Sequence, residues 1–140
     1  MDWFRFEVLC RLLWSKAGYS AWLTPKRGGD GGVDIVALKG REGELVQCKS
    51  SANAELGWDA IKEVAAGAAS YQAQYPSARF RRVAVTNRSF NGAARHQSEM
   101  NRVSLIERPD LEELMAQRPV SNLEFEDEVA QAGLTYDEGA

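Results

Sequence analysis

Histidine and cysteine are almost missing from this chain: 140 residues hold one histidine, His96, and two cysteines, Cys10 and Cys48. A single histidine excludes two-histidine zinc hydrolases and histidine–metal nuclease motifs. A Ser-His-Asp arrangement is formally open to His96, but its neighbours Arg95, Gln97, Ser98 and Glu99 read as a solvated helix face. Cys10 and Cys48 have no close partners in sequence, so neither a disulfide framework nor a thiolate zinc site can be read from them. Unpaired cysteines suit a reducing, cytoplasmic setting. Long apolar runs are missing too, none approaching the roughly 18–20 residues of a membrane span. Asp2, Arg5 and Glu7 stand where an export signal would be apolar. The expectation is a cytoplasmic chain with no membrane partner.

What is present is ordinary for a globular protein: 44% hydrophobic and 26% charged residues. The length suits one domain, with roughly two-thirds of the unfolded surface buried on folding. The net charge of −3 hides an asymmetry. Residues 1–102 carry 15 Lys and Arg against 10 Asp and Glu, whereas residues 103–140 carry 2 against 10. A basic body with an acidic end suits nucleic-acid binding by the body, and equally suits a solubilising tail.

Along the chain, Trp3 to Trp14 is apolar with interspersed charges, the pattern of a largely buried helix that Gly18 ends. Tyr19 to Thr24 reads as a short strand. Lys26 to Gly32 is a glycine-rich turn, and Val33–Lys39 with Glu44–Lys49 reads as a β-hairpin around Gly40–Gly43. Glu55 to about Gln74 is a helix rich in small residues, suited to lying close on a sheet. A strand over Arg82–Thr86, a helix over Ser89–Arg102, a strand over Val103–Ile106 and a short helix over Leu111–Met115 follow. The expected architecture is α/β, a mixed sheet flanked by helices, with residues 3–116 as the domain and 117–140 as an acidic C-terminal tail.

The glycine cluster is not a nucleotide loop. It contains no G-x-x-x-x-G-K-[ST], Asp34 stands where a third dinucleotide-site glycine belongs, and a strand follows where a helix is required. The hairpin carries more. With Gly40–Gly43 as the loop, Lys39 faces Glu44, Asp34 lies opposite Lys49, and Val36 lies opposite Gln47. Alternation along strands then gathers Asp34, Gln47 and Lys49 on one face. A carboxylate, an amide oxygen and an ammonium in one patch suit a hard divalent cation beside a charge-stabilising group. A plain cross-strand Asp34–Lys49 ion pair accounts for the same residues.

The run Gly29-Asp30-Gly31-Gly32-Val33-Asp34-Ile35-Val36-Ala37, followed by Leu45-Val46-Gln47-Cys48-Lys49, resembles the signature of the Mrr-like restriction endonucleases. That family is a branch of the PD-(D/E)XK nucleases in which glutamine replaces the second acidic residue. The resemblance extends over residues 3–116. It takes in Phe6-Glu7 of the opening helix, Val85-Thr86-Asn87 with Phe90 and Ala93-Ala94-Arg95, and a closing strand and helix.

The resemblance implies a restriction-endonuclease-like fold and a DNA endonuclease that uses Mg²⁺, or Mn²⁺ in its place. Asp34 would ligate the metal, helped by the Gln47 side-chain oxygen and the Cys48 backbone carbonyl. Lys49 would orient or deprotonate the attacking water and offset phosphate charge. Glu7 would add a carboxylate; its other reading is a helix-surface pair with Arg11. Lys26 and Arg27 adjoin the metal-site strand and are the expected DNA contacts. Lys39, Arg41 and the arginines from Arg79 to Arg102 are weaker candidates. No separate DNA-reading module fits, so specificity would come from another region, a partner protein or DNA structure. Double-strand cleavage would call for a homodimer. Two further readings stay open: a non-catalytic DNA- or protein-binding module on the same fold, and a structure-selective, junction-type nuclease.

Overall fold

A computed structural model describes residues 2–25, 32–50 and 55–139, with side chains excepted at residues 55 and 135–139. Lys26 and Arg27, most of the glycine cluster and residues 51–54 lie outside the described residues.

Helix α1 (Trp3–Lys16) starts where the Asp2 side chain accepts from the Arg5 amide at 2.8 Å, an N-cap that satisfies one free helix N–H. Three antiparallel strands follow: β1 (Ser20–Leu23), β2 (Ile35–Lys39) and β3 (Glu42–Lys49). Two crossovers then add parallel strands β5 (Arg79–Thr86) and β7 (Val103–Ile106), giving the sheet order β1-β2-β3-β5-β7. The crossovers carry helices α2 (Asp59–Gln74) and α3 (Gly92–Asn101). Each opens with a two-residue strand, β4 (Glu55–Leu56) and β6 (Ser89–Phe90), and these two pair with each other. Helices α4 (Arg108–Gln117) and α5 (Asn122–Gly139) close the chain.

Strand alternation divides the core into two layers. Ile35, Ala37, Val46, Cys48, Val83 and Val85 point to one face, where Phe6, Cys10 and Leu13 of α1 and Leu111 of α4 cover them. Val36, Leu45 and Ala84 point to the other, under Ala60, Ile61 and Val64 of α2 and Ala94 of α3. Both crossovers step the same way across the sheet, so α2 and α3 share a face, as a uniform crossover hand requires.

The hairpin register departs from the sequence expectation. Lys39 pairs with Glu42, Val36 with Leu45 and Ile35 with Val46, so only Gly40 and Arg41 form the turn. Gly40 alone has a positive φ there, 63°, as a two-residue turn with glycine in first place demands. The shift is two residues, so every side chain keeps its expected face. Asp34 now aligns with Gln47 instead of Lys49.

The acidic segment, expected as a tail, is helical. Val8 and Leu12 of α1 pack with Phe125 of α5. Arg5, Arg11 and Lys16 on α1 pair with Glu126, Glu128 and Glu124 on α5. Arg5 also lies 4.8 Å from the centre of the Phe125 ring. Among the described residues no helix is long and apolar enough to cross a membrane.

Candidate active site

The C-terminal end of β3 and the residues leading into β2 bring the candidate site together. Pairing between β2 and β3 begins at Ile35 and Val46, so the Cys48 amide lies beyond the end of the ladder. It donates instead to Asp34 Oδ2 at 2.8 Å, which fixes this carboxylate against β3. An extended residue sends its N–H and C=O to the same side, so the Cys48 carbonyl opens toward Asp34 as well. Asp34 is 4% exposed and Gln47 is 6% exposed.

Gln47 and Lys49 point to the α2 face, where Glu63 of α2 meets both. Lys49 Nζ lies 3.1 Å from Glu63 Oε2 and 3.2 Å from Glu63 Oε1. Gln47 Nε2 donates to Glu63 Oε2. Its other end is bare: Gln47 Oε1 is buried and has no hydrogen-bond partner among the described residues. An acceptor buried without a donor costs about 1–3 kcal/mol, so this oxygen calls for an explanation.

Glu7 reaches the site from the opposite face of the sheet. It is 5% exposed, which removes the helix-surface reading. Arg11 is turned elsewhere, to Glu128 and to the Ala21 carbonyl. Burial pushes the Cys48 thiol well up, and its contact with Cys10 and the charges of Asp34 and Glu7 add to this. The same contact brings together the two cysteines that the sequence leaves apart. Cys48 stays a neutral thiol, unsuited to act as a nucleophile.

Several expected cations are not near this cluster. The turn holding Arg41 caps the opposite end of β2 and β3, and Lys39 there donates to the Ala17 carbonyl at 3.1 Å. Arg79 and Arg81 pair with Glu42 and Glu44 at that same far end. Arg95 belongs to the same end of the sheet as the cluster, since Glu107, with which it is paired, directly follows β7.

Glu63 is the residue that sequence reasoning missed. Its helix carries the small residues of a packing surface, and its approach to β3 depends on Gly32. A Cβ at Gly32 would fall 1.9 Å from the Glu63 carbonyl oxygen, and the φ there is +82°. The turn leading into Asp34 thus lies directly against the α2 backbone at Glu63.

Carboxylate, amide and main-chain carbonyl oxygens, the donor types at this end of the sheet, are the kinds that a hard cation favours. The bare Gln47 oxygen is the observation that fits such an ion. Among the described residues no group of three or more His, Cys, Asp or Glu is placed to hold a metal.

Residues 1–115 match the Mrr_cat family, described as restriction endonuclease. No curated protein matches the chain. Among solved structures, MspJI restriction endonuclease in complex with a 27-mer oligonucleotide superposes with a TM-score of 0.58 at 21% identity. The match covers 91% of this chain but 31% of MspJI. A crystal structure of a protein of unknown function, AF1548, gives a TM-score of 0.59 at 11% identity, covering 99% of this chain and 96% of that one. The architecture is the restriction-endonuclease-like α/β fold.

Proposed function

The chain belongs to the restriction endonuclease family that its residues 1–115 match, and from that premise we propose a divalent-metal-dependent endonuclease that hydrolyses DNA phosphodiester bonds. The bare, buried oxygen of Gln47, two residues before Lys49 on β3, is the observation that carries the reading.

In this proposal Asp34, Gln47 Oε1, the Cys48 carbonyl and Glu7 hold Mg²⁺ or Mn²⁺. When bound, the ion would acidify water and offset charge on the phosphate. The chain's own groups do the rest. Asp34 is locked by the Cys48 amide, so the carboxylate presents one orientation. Lys49, at the C-terminal end of β3 with its side chain 35% exposed, would meet a phosphate oxygen and stabilise the charge gained as a water attacks. Lys26 and Arg27 would contact the DNA backbone from the loop before Asp34.

The test is cleavage of supercoiled plasmid, single-stranded and branched DNA with Mg²⁺ or Mn²⁺, and again with chelator. Cutting that needs the metal, and is lost in Lys49→Ala and Asp34→Ala while the circular dichroism is retained, supports the proposal. No cutting of any substrate would favour a non-catalytic module, and cutting of branched DNA alone a junction-type enzyme.

A further inference from the structure

Glu63 belongs to none of the motifs above, yet its carboxylate meets both residues on which the proposed chemistry turns. It accepts from Gln47 Nε2 and lies within 3.2 Å of Lys49 Nζ through both oxygens. Its place is set by the chain that leads into Asp34, because the α2 backbone at Glu63 fits only against a residue without a side chain, Gly32.

A carboxylate takes only donors, whereas an amide has a donating and an accepting end. With Glu63 ionised, the Gln47 amide is held with its nitrogen on Glu63 and its oxygen turned away, where it is buried and bare. Turned the other way, the amide would offer a cation its NH₂ group, which has no lone pair to give. The same carboxylate holds the Lys49 ammonium at the α2 side of the site instead of letting it sweep the solvent.

We propose that Glu63 is a positioning residue: it orients the Gln47 amide so that Oε1 faces the metal, and it holds Lys49 at the site. The proposal rests on the nuclease reading for its consequence in cleavage, but its effect on Gln47 does not.

The experiment compares wild type, Glu63→Gln and Glu63→Asp in the full chain. Calorimetry without DNA measures Mn²⁺ affinity. The ¹⁵N side-chain amide resonance of Gln47, assigned by its loss in Gln47→Leu, reports the orientation. Plasmid cleavage gives kcat and KM separately. A glutamine at this position can present either end, so Glu63→Gln is expected to shift the Gln47 amide resonance and weaken Mn²⁺ by about tenfold. It should also lower kcat by roughly 10–100-fold with KM for DNA little changed, and Glu63→Asp should restore part of each. An unchanged amide resonance and metal affinity in Glu63→Gln would overturn the proposal, leaving only an ion pair that affects melting temperature. Metal binding lost in Glu63→Gln but kept in Gln47→Leu would overturn it too, by making Glu63 itself the ligand. If wild type cuts no DNA, the nuclease reading fails, and the resonance and the metal affinity still decide the role of Glu63.

Discussion

Strand β3 carries a polar cluster at each end, and the two are finished differently. Near its start, Glu44 accepts from Trp14 Nε1 at 2.6 Å, from Tyr19 Oη at 3.3 Å and from Arg81 at 2.8 Å. Two elements and the connection between α1 and β1 supply donors to one carboxylate, and its hydrogen-bonding demand is met. Near its end, Gln47 spends its nitrogen on Glu63 and leaves its oxygen buried and bare. A saturated cluster ties α1, β3 and β5 together. An unsaturated one carries a standing cost, which a protein bears where a ligand completes the set.

The largest effects should come from the unsaturated end. Lys49→Ala and Asp34→Ala are each expected to lower plasmid cleavage by at least about 100-fold. Asp34→Ala should in addition lose about 1–3 kcal/mol in a denaturant titration, since it strands the buried Cys48 amide. If either variant cuts at the wild-type rate, the contrast between the two ends has no catalytic meaning.

Gly32→Ala attacks the packing beneath that end. The new Cβ would meet the Glu63 carbonyl oxygen at 1.9 Å, on a backbone with φ of +82°. The left-handed strain alone is worth roughly 1–3 kcal/mol, and α2 must also shift. A clear fall in the denaturation midpoint, with cleavage lost per folded molecule, is expected. An unchanged midpoint would mean that α2 does not press on this turn.

The saturated end should respond in the opposite sense. Glu44→Gln is expected to cost about 1–3 kcal/mol of stability, with the cleavage rate of the folded protein unaltered. Burial, then the charge of Glu44, pushes the Tyr19 hydroxyl up, so the variant should also let Tyr19 titrate at lower pH. Lost cleavage in a folded Glu44→Gln protein would erase the distinction between the clusters.

Much of this contrast was legible in the sequence, because strand alternation places Gln47 and Lys49 on one face whatever the register. The register itself was not. Gly40 and Gly43 both look like turn glycines, but Gly43 lies inside β3, where a Cβ would meet the Phe80 ring at 2.6 Å. One glycine answers to backbone conformation and the other to a neighbouring ring, and local sequence does not separate them. Glu63 was hidden for a similar reason: its partners lie on another element, and the alanines around it point only to packing. Helix α5 had a faint signal in the apolar spacing of Phe125, Val129 and Ala132. Its acidic residues look like solvated charge until α1 is placed beside them.

The smallest effect is expected at that helix. Glu124 is held below the ordinary glutamate value of 4.5 chiefly by Lys16, and Glu126 chiefly by Arg5. A carboxyl depressed in the folded state stabilises fully above that value and loses its contribution as pH falls through the lower folded one. Docking of α5 should therefore weaken only in acid, with the Phe125 ring resonances moving while the β-sheet signals stay. Loss of docking near neutral pH would contradict these ion pairs.

The central claim is that the bare oxygen of Gln47 is there for a cation. Calorimetric titration of Mn²⁺ into wild type and Gln47→Leu, without DNA, tests it most directly. Leucine removes the oxygen at similar bulk and with it the cost of burying an unsatisfied acceptor. The account predicts at least about tenfold weaker metal binding with stability equal or slightly higher. Equal affinity in the two proteins would contradict it, and would leave Asp34 and Glu7 to hold any ion alone.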